Sequence, residues 1–119
     1  MSLSRGHEAE TTALCYLKKK GLDLLARNFR CRFGEIDLVM VDRECLVFVE
    51  VRYRAPNRFA DAKGSVDGRK QQRIALAAEA FLARHPQMAE HPVRFDVVAL
   101  DGGGRDNDRL EWLRDAFRV

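Results

Sequence analysis

Two apolar segments joined by a short polar turn constrain the fold of this chain more than any other feature. Residues 35–41 and 45–53 are rich in β-branched and aromatic side chains, a composition typical of strands. A turn of two or four residues centred on residues 43–44 would make them an antiparallel hairpin. That register sets Asp37 directly opposite Glu50, whereas a three-residue loop would place these two acids on opposite faces.

Periodic apolar residues and capping signals predict the elements on either side of this hairpin. The chain of 119 residues is predicted to form a single α/β domain over 1–119, of order α-β-β-β-α-β, with a mixed central sheet flanked by helices. Asp67 is expected to cap the second helix, after a polar loop over residues 54–68. The predicted elements are a helix from about Gly6 to Lys20, strands over 22–30, 34–41, 45–53 and 93–100, a helix from about Gly68 to Arg84, and a short strand followed by a turn of helix from Leu110.

Composition and patterning exclude several classes of protein. Hydrophobic residues make up 46% and charged residues 33% of the chain, which is too apolar for a disordered protein and too charged for a membrane protein. No apolar run reaches the roughly 20 residues that span a bilayer, and the first residues lack the apolar core of a signal peptide. The three cysteines contain no Cys-x-x-Cys pair and are interpreted as reduced packing residues. We therefore expect a cytoplasmic protein with no membrane partner.

Glu50 is the most informative residue of the hairpin, because an ionised carboxylate in an apolar strand is strongly desolvated. An ion pair with Arg52 or Arg54, which share its face, would explain Glu50 if it stood alone. The predicted register also brings Asp37 opposite, and directly facing like charges destabilise a sheet. Two facing carboxylates require a counter-charge, and a divalent metal ion such as Mg²⁺ is the natural one. With Arg52 placed to meet a phosphate, the set matches what metal-assisted phosphodiester hydrolysis requires.

Two short motifs on these strands carry a resemblance to a known family. Gly-Glu-Ile-Asp-Leu at residues 34–38 and Phe-Val-Glu-Val-Arg at residues 48–52 resemble the signature of the YraN-like bacterial proteins. These are similar to Holliday-junction resolvases and to the wider restriction-endonuclease-like, or PD-(D/E)xK, superfamily. The likeness extends over nearly the whole chain. It implies a restriction-endonuclease-like fold, a Mg²⁺ or Mn²⁺ cofactor and, because related resolvases act as dimers, a homodimer.

The resemblance also implies roles for individual residues. Asp37 and Glu50 would be the metal ligands, and Glu10 would be an accessory acid from the first helix. Lys70 matches a basic residue of the following helix, and Lys70 or Gln72 would be an auxiliary group near a phosphate. The catalytic set implied in this way is Asp37, Glu50, Arg52 and Glu10.

One position departs from the family pattern, which has Lys where this chain has Arg52. In such nucleases the Lys helps to position or activate the attacking water. Arginine stays protonated and cannot act as a base, but it can hold a phosphate with two hydrogen bonds. Two interpretations therefore stay open: a metal-dependent endonuclease acting on structured DNA, or a catalytically degenerate DNA- or RNA-binding domain. A third, an adaptor domain without a nucleic-acid role, is supported by the small net charge of +3.

Basic residues gather in the first two thirds of the chain and provide the predicted contacts to nucleic acid, with DNA favoured. They fall on strand ends, in the long loop and at the start of the second helix, so they are expected to surround one face. The alternative, a solvated surface of scattered charges, stays open as well. The contacts assigned to nucleic acid are Arg32, Arg54, Lys70 and Arg73.

Overall fold

The computed structural model describes residues 5–54, 66–101 and 109–118. Within these ranges the chain forms two α-helices, a short 3-10 helix and five strands. The elements are α1 (Arg5–Lys19), β1 (Asp23–Cys31), β2 (Gly34–Asp42), β3 (Cys45–Arg54), α2 (Gly68–Arg84), the 3-10 helix Pro86–Met88, β4 (Val93–Asp101) and β5 (Arg109–Phe117).

All five strands belong to one mixed sheet with the spatial order β1-β2-β3-β4-β5. β3 and β4 are parallel, with α2 between them in the chain, and the other neighbours are antiparallel. The predicted α/β class, mixed sheet and element order are confirmed. The C-terminal segment differs from the prediction: it is a strand of nine residues, with no turn of helix, because it pairs along most of β4.

Helix α2 begins and ends where the sequence predicts. The Asp67 carboxylate caps it by accepting a hydrogen bond from the backbone N–H of Lys70, with N and O 2.8 Å apart. Most of the polar loop predicted over residues 54–68 lies outside the described residues. The buried face of the helix carries Ile74, Ala77, Ala78 and Phe81.

The sheet is covered on both faces, which explains why β2 and β3 are apolar at nearly every position. We call the two faces the α1 side and the α2 side. The α1 side buries Ala9, Ala13, Leu17, Leu22, Leu38, Met40, Val47, Val49, Val98 and Leu100. The α2 side buries Ile36, Val39, Leu46, Phe48, Val66, Ile74, Ala77, Ala78, Phe81, Phe95 and Val97.

The β2–β3 hairpin has the predicted register. Its turn consists of residues 43–44, and pairing runs from there to Leu38 opposite Val49. The paired residues end one step before Asp37 would meet Glu50. The two acids thus lie on adjacent antiparallel strands, just beyond the last paired residues of the hairpin.

None of the described helices is long and apolar enough to cross a membrane. The three cysteines are free. Cys31 packs against the α2 side and Cys45 against the α1 side, as predicted. Cys15 is exposed, so its interpretation as a packing residue is wrong, because it lies on the solvent-facing surface of α1.

Candidate functional site

Asp37 lies in a cleft just beyond the paired part of the β2–β3 hairpin. Its Oδ2 accepts a hydrogen bond from the backbone N–H of Val51, at 2.8 Å. This bond occupies a backbone donor of β3 beyond the last paired residues and fixes the carboxylate against that strand. The four residues predicted as catalytic meet here, together with Lys70. The cleft is lined by Ala9, Glu10, Asp37, Glu50, Val51, Arg52, Tyr53 and Lys70.

A break in the side-chain alternation of β2 places Asp37 toward α1. Ile36 and Val39 both pack on the α2 side, although an odd separation in a regular strand puts side chains on opposite faces. Leu38 packs on the α1 side. β1 is irregular at the same level of the sheet, where Asn28 has a φ of 55°, a left-handed conformation that few residues adopt in strands. The backbones of β1 and β2 are therefore both irregular beside the cleft.

Glu10 and Asp37, which line the cleft, lie close to a third acid, Glu35. One carboxylate oxygen from each lies within 4.8 Å of the other two. Hard divalent cations bind oxygens at about 2.0–2.6 Å, so two ligands of one ion lie at most about 4–5 Å apart. The three carboxylates are therefore close enough to share one divalent cation, and Mg²⁺, whose bonds to oxygen are the shortest, would draw the three oxygens closer together.

The pKa of Asp37 is raised from 3.8 to about 8. Burial is the largest cause and the negative charge of Glu50 is the second, whereas the hydrogen bond from Val51 opposes the shift. Smaller contributions come from the charges of Glu10 and Glu35. Asp37 is thus a carboxylate whose charge the surrounding protein does not compensate.

Glu50 is different, because two cations lie next to it. Its side chain is only 6% exposed, and Oε2 is 2.7 Å from Nζ of Lys70 and 3.6 Å from Nη1 of Arg52. Lys70 reaches it from the first turn of α2, the turn that Asp67 caps. A lysine and an arginine therefore provide the counter-charge that sequence reasoning assigns to a metal ion. Metal ligation by Glu50 stays a prediction.

Glu10 is held in place by β1. Its Oε1 accepts a hydrogen bond from Nδ2 of Asn28 at 2.8 Å, and Nε of Arg27 lies 3.6 Å from the same oxygen. Nη2 of Arg27 also donates to the backbone oxygen of His7 and to Oγ1 of Thr11. These contacts tie α1 to β1 and account for the left-handed backbone of Asn28, since asparagine tolerates that conformation better than most residues.

Three of the four predicted nucleic-acid contacts, Lys70, Arg73 and Arg32, can be placed relative to the cleft. Lys70 is in the cleft, and Arg73 is exposed one turn further along α2. A Cβ placed on Gly34 would lie 3.9 Å from that of Arg73, so this arginine stands beside the β1–β2 turn. The turn carries exposed Arg32, whose guanidinium carbon is 4.7 Å from the ring centroid of Phe33. These basic groups therefore continue from the cleft toward one end of the sheet.

Glu35 and Asn28 belong to the site, although sequence reasoning does not assign them to it. Glu35 lies two residues before Asp37, so the period-two rule for strands was a usable signal. Asn28 gives no comparable signal, because its conformation depends on contacts with α1. The remaining predicted contact, Arg54, is the last residue of β3, and its side chain lies outside the described residues.

Fold and site together define a small α/β domain whose mixed sheet carries a cleft lined by carboxylates, a lysine and an arginine. The chain belongs to the uncharacterised protein family UPF0102, whose model matches residues 9–100, and the YraN-like resemblance is confirmed at the level of the family. The matched segment contains every residue that lines the cleft.

Relatives in this family align over almost the whole chain. A UPF0102 protein of Pseudomonas putida strain GB-1 is 55% identical over 112 residues, which cover 94% of this chain and 91% of that relative. A UPF0102 protein of Pseudomonas entomophila strain L48 shows the same identity and coverage. A UPF0102 protein of Stutzerimonas stutzeri strain A1501 is 52% identical over 116 residues, 98% of this chain and 96% of the relative.

Proposed function

We propose that this protein is a metal-dependent hydrolase of phosphodiester bonds in nucleic acid, with structured DNA as the favoured substrate. The observation that supports this proposal most directly is the distribution of charges within one cleft. Asp37 lies beside two further acids, whereas Glu50 lies beside Lys70. Oxygens suited to a divalent cation thus neighbour an ammonium suited to a phosphate, the combination that metal-assisted hydrolysis uses. The proposal includes a restriction-endonuclease-like fold, in line with the resemblance of the two strand motifs.

Asp37 is the principal ligand in this proposal, with Glu10, Glu35 and Glu50 as the neighbouring acids. When bound, Mg²⁺ or Mn²⁺ would stabilise charge on the phosphate oxygens and lower the pKa of a water molecule. The protein itself orients Asp37 through the backbone of Val51 and leaves its charge uncompensated. A cation is therefore the partner that this carboxylate lacks.

Lys70 takes the role for which Arg52 is unsuited. Its Nζ lies 2.7 Å from Glu50, at the wall of the cleft opposite α1. An ammonium is a compact donor of three hydrogen bonds whose pKa responds to its surroundings, whereas a guanidinium stays protonated. In the proposal, Lys70 positions the attacking water and Arg52 holds a phosphate oxygen. A lysine from α2 thereby replaces the lysine that the family pattern has on the strand.

Incubation of the pure protein with Mg²⁺ or Mn²⁺ and with branched, single-stranded and double-stranded DNA tests the proposal. We expect cleavage that EDTA and Asp37→Asn each abolish. Lys70→Met should lower the cleavage rate roughly 100-fold, the lower range for loss of a positioned proton-transfer group. Lys19→Met is the matched control, an exposed lysine outside the cleft, and should cleave like the parent. Cleavage that survives Asp37→Asn would overturn the proposal.

The Lys70→Arg variant separates the two things that Lys70 offers. It keeps the positive charge but replaces the amine with a guanidinium, which is a poor proton carrier. We expect DNA affinity to be retained and cleavage to fall. Equal loss of affinity and cleavage would reduce Lys70 to a phosphate contact.

Arg52 favours a second function, binding of nucleic acid without hydrolysis. Its guanidinium lies beside Glu50 at 3.6 Å and can hold a phosphate, but it cannot serve as a base. Salt-dependent binding of nucleic acid, with no cleavage of DNA or RNA in the presence of Mg²⁺ or Mn²⁺, would support this function. An absence of binding even at low salt would select the adaptor interpretation.

The proposal extends to a homodimer, because cutting both strands of a branched substrate requires two clefts. Analytical ultracentrifugation of the full chain, alone and with branched DNA, measures the number of chains per junction. Two chains are expected. One chain per junction would remove the dimer and leave the single cleft as the unit of action.

A further inference from the structure

A second cleft lies at the opposite end of the β2–β3 hairpin, next to its turn. Four parts of the chain contribute a cation to it: the residue that follows α1, the turn, β4 and β5. These cations surround a single acid, Asp42, within the lining of the cleft. The lining residues are Lys20, Gly21, Asp42, Arg43, Arg94 and Arg114.

Two of the cations are held in fixed orientations by acids, Asp42 in the lining of the cleft and the buried Asp96. Arg94 donates from Nε to Asp96 at 3.0 Å, and its Nη2 lies 3.0 Å from Asp42. Arg114 donates from Nη2 to Asp42 at 2.9 Å, and its guanidinium carbon lies 4.6 Å from the ring centroid of Trp112. A guanidinium has five N–H donors, so these bonds orient each group and leave donors for a ligand.

Arg43 is a third and independent indication. Its φ is 58°, a conformation for which glycine or asparagine is the usual residue in a hairpin turn. Strained backbone positions cluster at functional sites, where the side chain is needed in spite of its conformation. Here an arginine in the strained position adds a positive charge to the cleft.

We propose that this second cleft binds a phosphate group of the nucleic-acid backbone, at a distance from the acidic cleft. This inference rests on the proposed function, because the anion belongs to the same substrate. Asp42 lies five residues after Asp37 on β2, which corresponds to roughly 16 Å at about 3.3 Å per residue. One strand of duplex DNA carries a phosphate about every 3.4 Å along the axis, so the two clefts lie about five base pairs apart. The cleft therefore positions the substrate and does not take part in hydrolysis.

Two substitutions remove charge from the second cleft and leave every partner of the buried Asp96 in place, although Arg114→Gln removes one of the two arginines that contact Asp42. Arg43→Gly relieves the left-handed backbone, so its thermal midpoint should equal or exceed that of the parent. Arg114→Gln removes an exposed guanidinium and keeps much of its length. Lys18→Gln is the matched control, because Lys18 is an exposed lysine in the last turn of α1 outside the cleft.

Fluorescence anisotropy with a 20-base-pair duplex, over a series of salt concentrations in the absence of divalent ions, measures the effect. The Arg43→Gly and Arg114→Gln double variant should bind roughly 10-fold more weakly. Its log–log salt slope should be flatter by about 0.9 for each phosphate that the variant no longer neutralises. A double variant with the same affinity and slope as Lys18→Gln would overturn the inference.

Short substrates distinguish this inference from the proposed function. A trinucleotide is too short to reach from one cleft to the other, so the double variant should cleave it at the parental rate and cleave the long duplex more slowly. Asp37→Asn should abolish cleavage of both and retain the parental salt slope. If the protein cleaves no substrate but the double variant still has a flatter salt slope, the second cleft is supported and the proposed hydrolysis is rejected. If the double variant binds inorganic phosphate more weakly than the parent but binds DNA with the same affinity, the assignment of the second cleft to nucleic acid is overturned.

Discussion

The acids at the two ends of the β2–β3 hairpin differ in how far the surrounding protein compensates their charge. From the turn end, Arg94 connects Asp42 to Asp96 of β4, which pairs with Val49. Asp96 is fully buried and accepts hydrogen bonds from Arg94, from Nε1 of Trp112 and from the backbone N–H of Asp115. Nearby, burial by itself would raise the pKa of Asp42, but hydrogen bonds and charges from Arg94 and Arg114 outweigh it and hold that pKa below its ordinary value. Both of these acids have their cations within the protein.

At the other end, Asp37 has one backbone donor and three neighbouring acids, and its pKa is raised to about 8, by burial first and by Glu50 next. Buried polar groups are satisfied almost everywhere in proteins, so an acid left uncompensated is the exception that requires an explanation. The turn end is thus a framework that orients arginines, whereas the acidic cleft is suited to receive a cation from outside.

Asp96→Asn should have the largest effect on stability. The variant replaces an acceptor of several hydrogen bonds with an amide and leaves the half-buried Arg94 with Asp42 as its remaining charge partner. Removal of one member of a buried ion pair costs about 3–5 kcal/mol, so the free energy of unfolding should fall by that amount. Urea denaturation followed by circular dichroism measures it. A loss no greater than that of a surface substitution would show that the network at the turn end is not part of the framework.

Asp37→Asn should have the opposite effect at high pH, where it should raise the free energy of unfolding. The folded-state pKa of about 8 lies above the unfolded value of 3.8, so the folded protein binds this proton more tightly. That stabilisation is complete below about pH 4 and is lost as pH rises through 8. The variant, which is neutral at every pH, should therefore match the parent near pH 4 and exceed it by a few kcal/mol at pH 9, since each pKa unit corresponds to about 1.4 kcal/mol.

Urea midpoints at pH 4, 7 and 9 provide this test, with Mn²⁺ as a second arm. Added Mn²⁺ should raise the thermal midpoint of the parent at pH 8 and leave Asp37→Asn unchanged, because the ion binds the folded state through that carboxylate. A variant less stable than the parent at pH 9 would contradict the view that this acid is uncompensated.

Asn28 allows the backbone at the acidic end to be tested apart from its charges. Asn28→Ala should lower the free energy of unfolding by about 1–2 kcal/mol, because alanine is strained at a φ of 55°. Asn28→Gly relieves the strain and, like alanine, loses the hydrogen bond to Glu10. Asn28→Gly should therefore be more stable than Asn28→Ala in urea denaturation. The reverse order would show that the left-handed backbone does not determine which residue is favoured at position 28.

Arg30→Gln should have the smallest effect. Arg30 and Glu35 form an exposed ion pair at 2.7 Å across β1 and β2, and such pairs are weakened by solvent and salt. We expect no measurable shift of the thermal midpoint at physiological ionic strength. A clear decrease would mean that Arg30 compensates the acidic cleft, which would reduce the contrast between the two ends.

Residues close together in the chain specify the local elements and the register of the central hairpin. The capping carboxylate of Asp67 and the apolar stripe that follows it specify α2 from neighbouring residues alone. Two strongly apolar segments across a two-residue turn specify which residues of β2 and β3 face each other. These features can therefore be derived from the amino-acid sequence without knowledge of the fold.

Packing between distant elements determines how the charges meet. The break in alternation beside Asn28, the pairing of Lys70 with Glu50 and the long pairing of β5 with β4 each join residues distant in the chain. The second cleft collects its cations from four separate parts of the chain. Whether a charge is compensated depends on distance and burial, and packing sets both of these. The sequence therefore identifies the candidate acids and cations. It does not determine which of them the fold leaves without a partner.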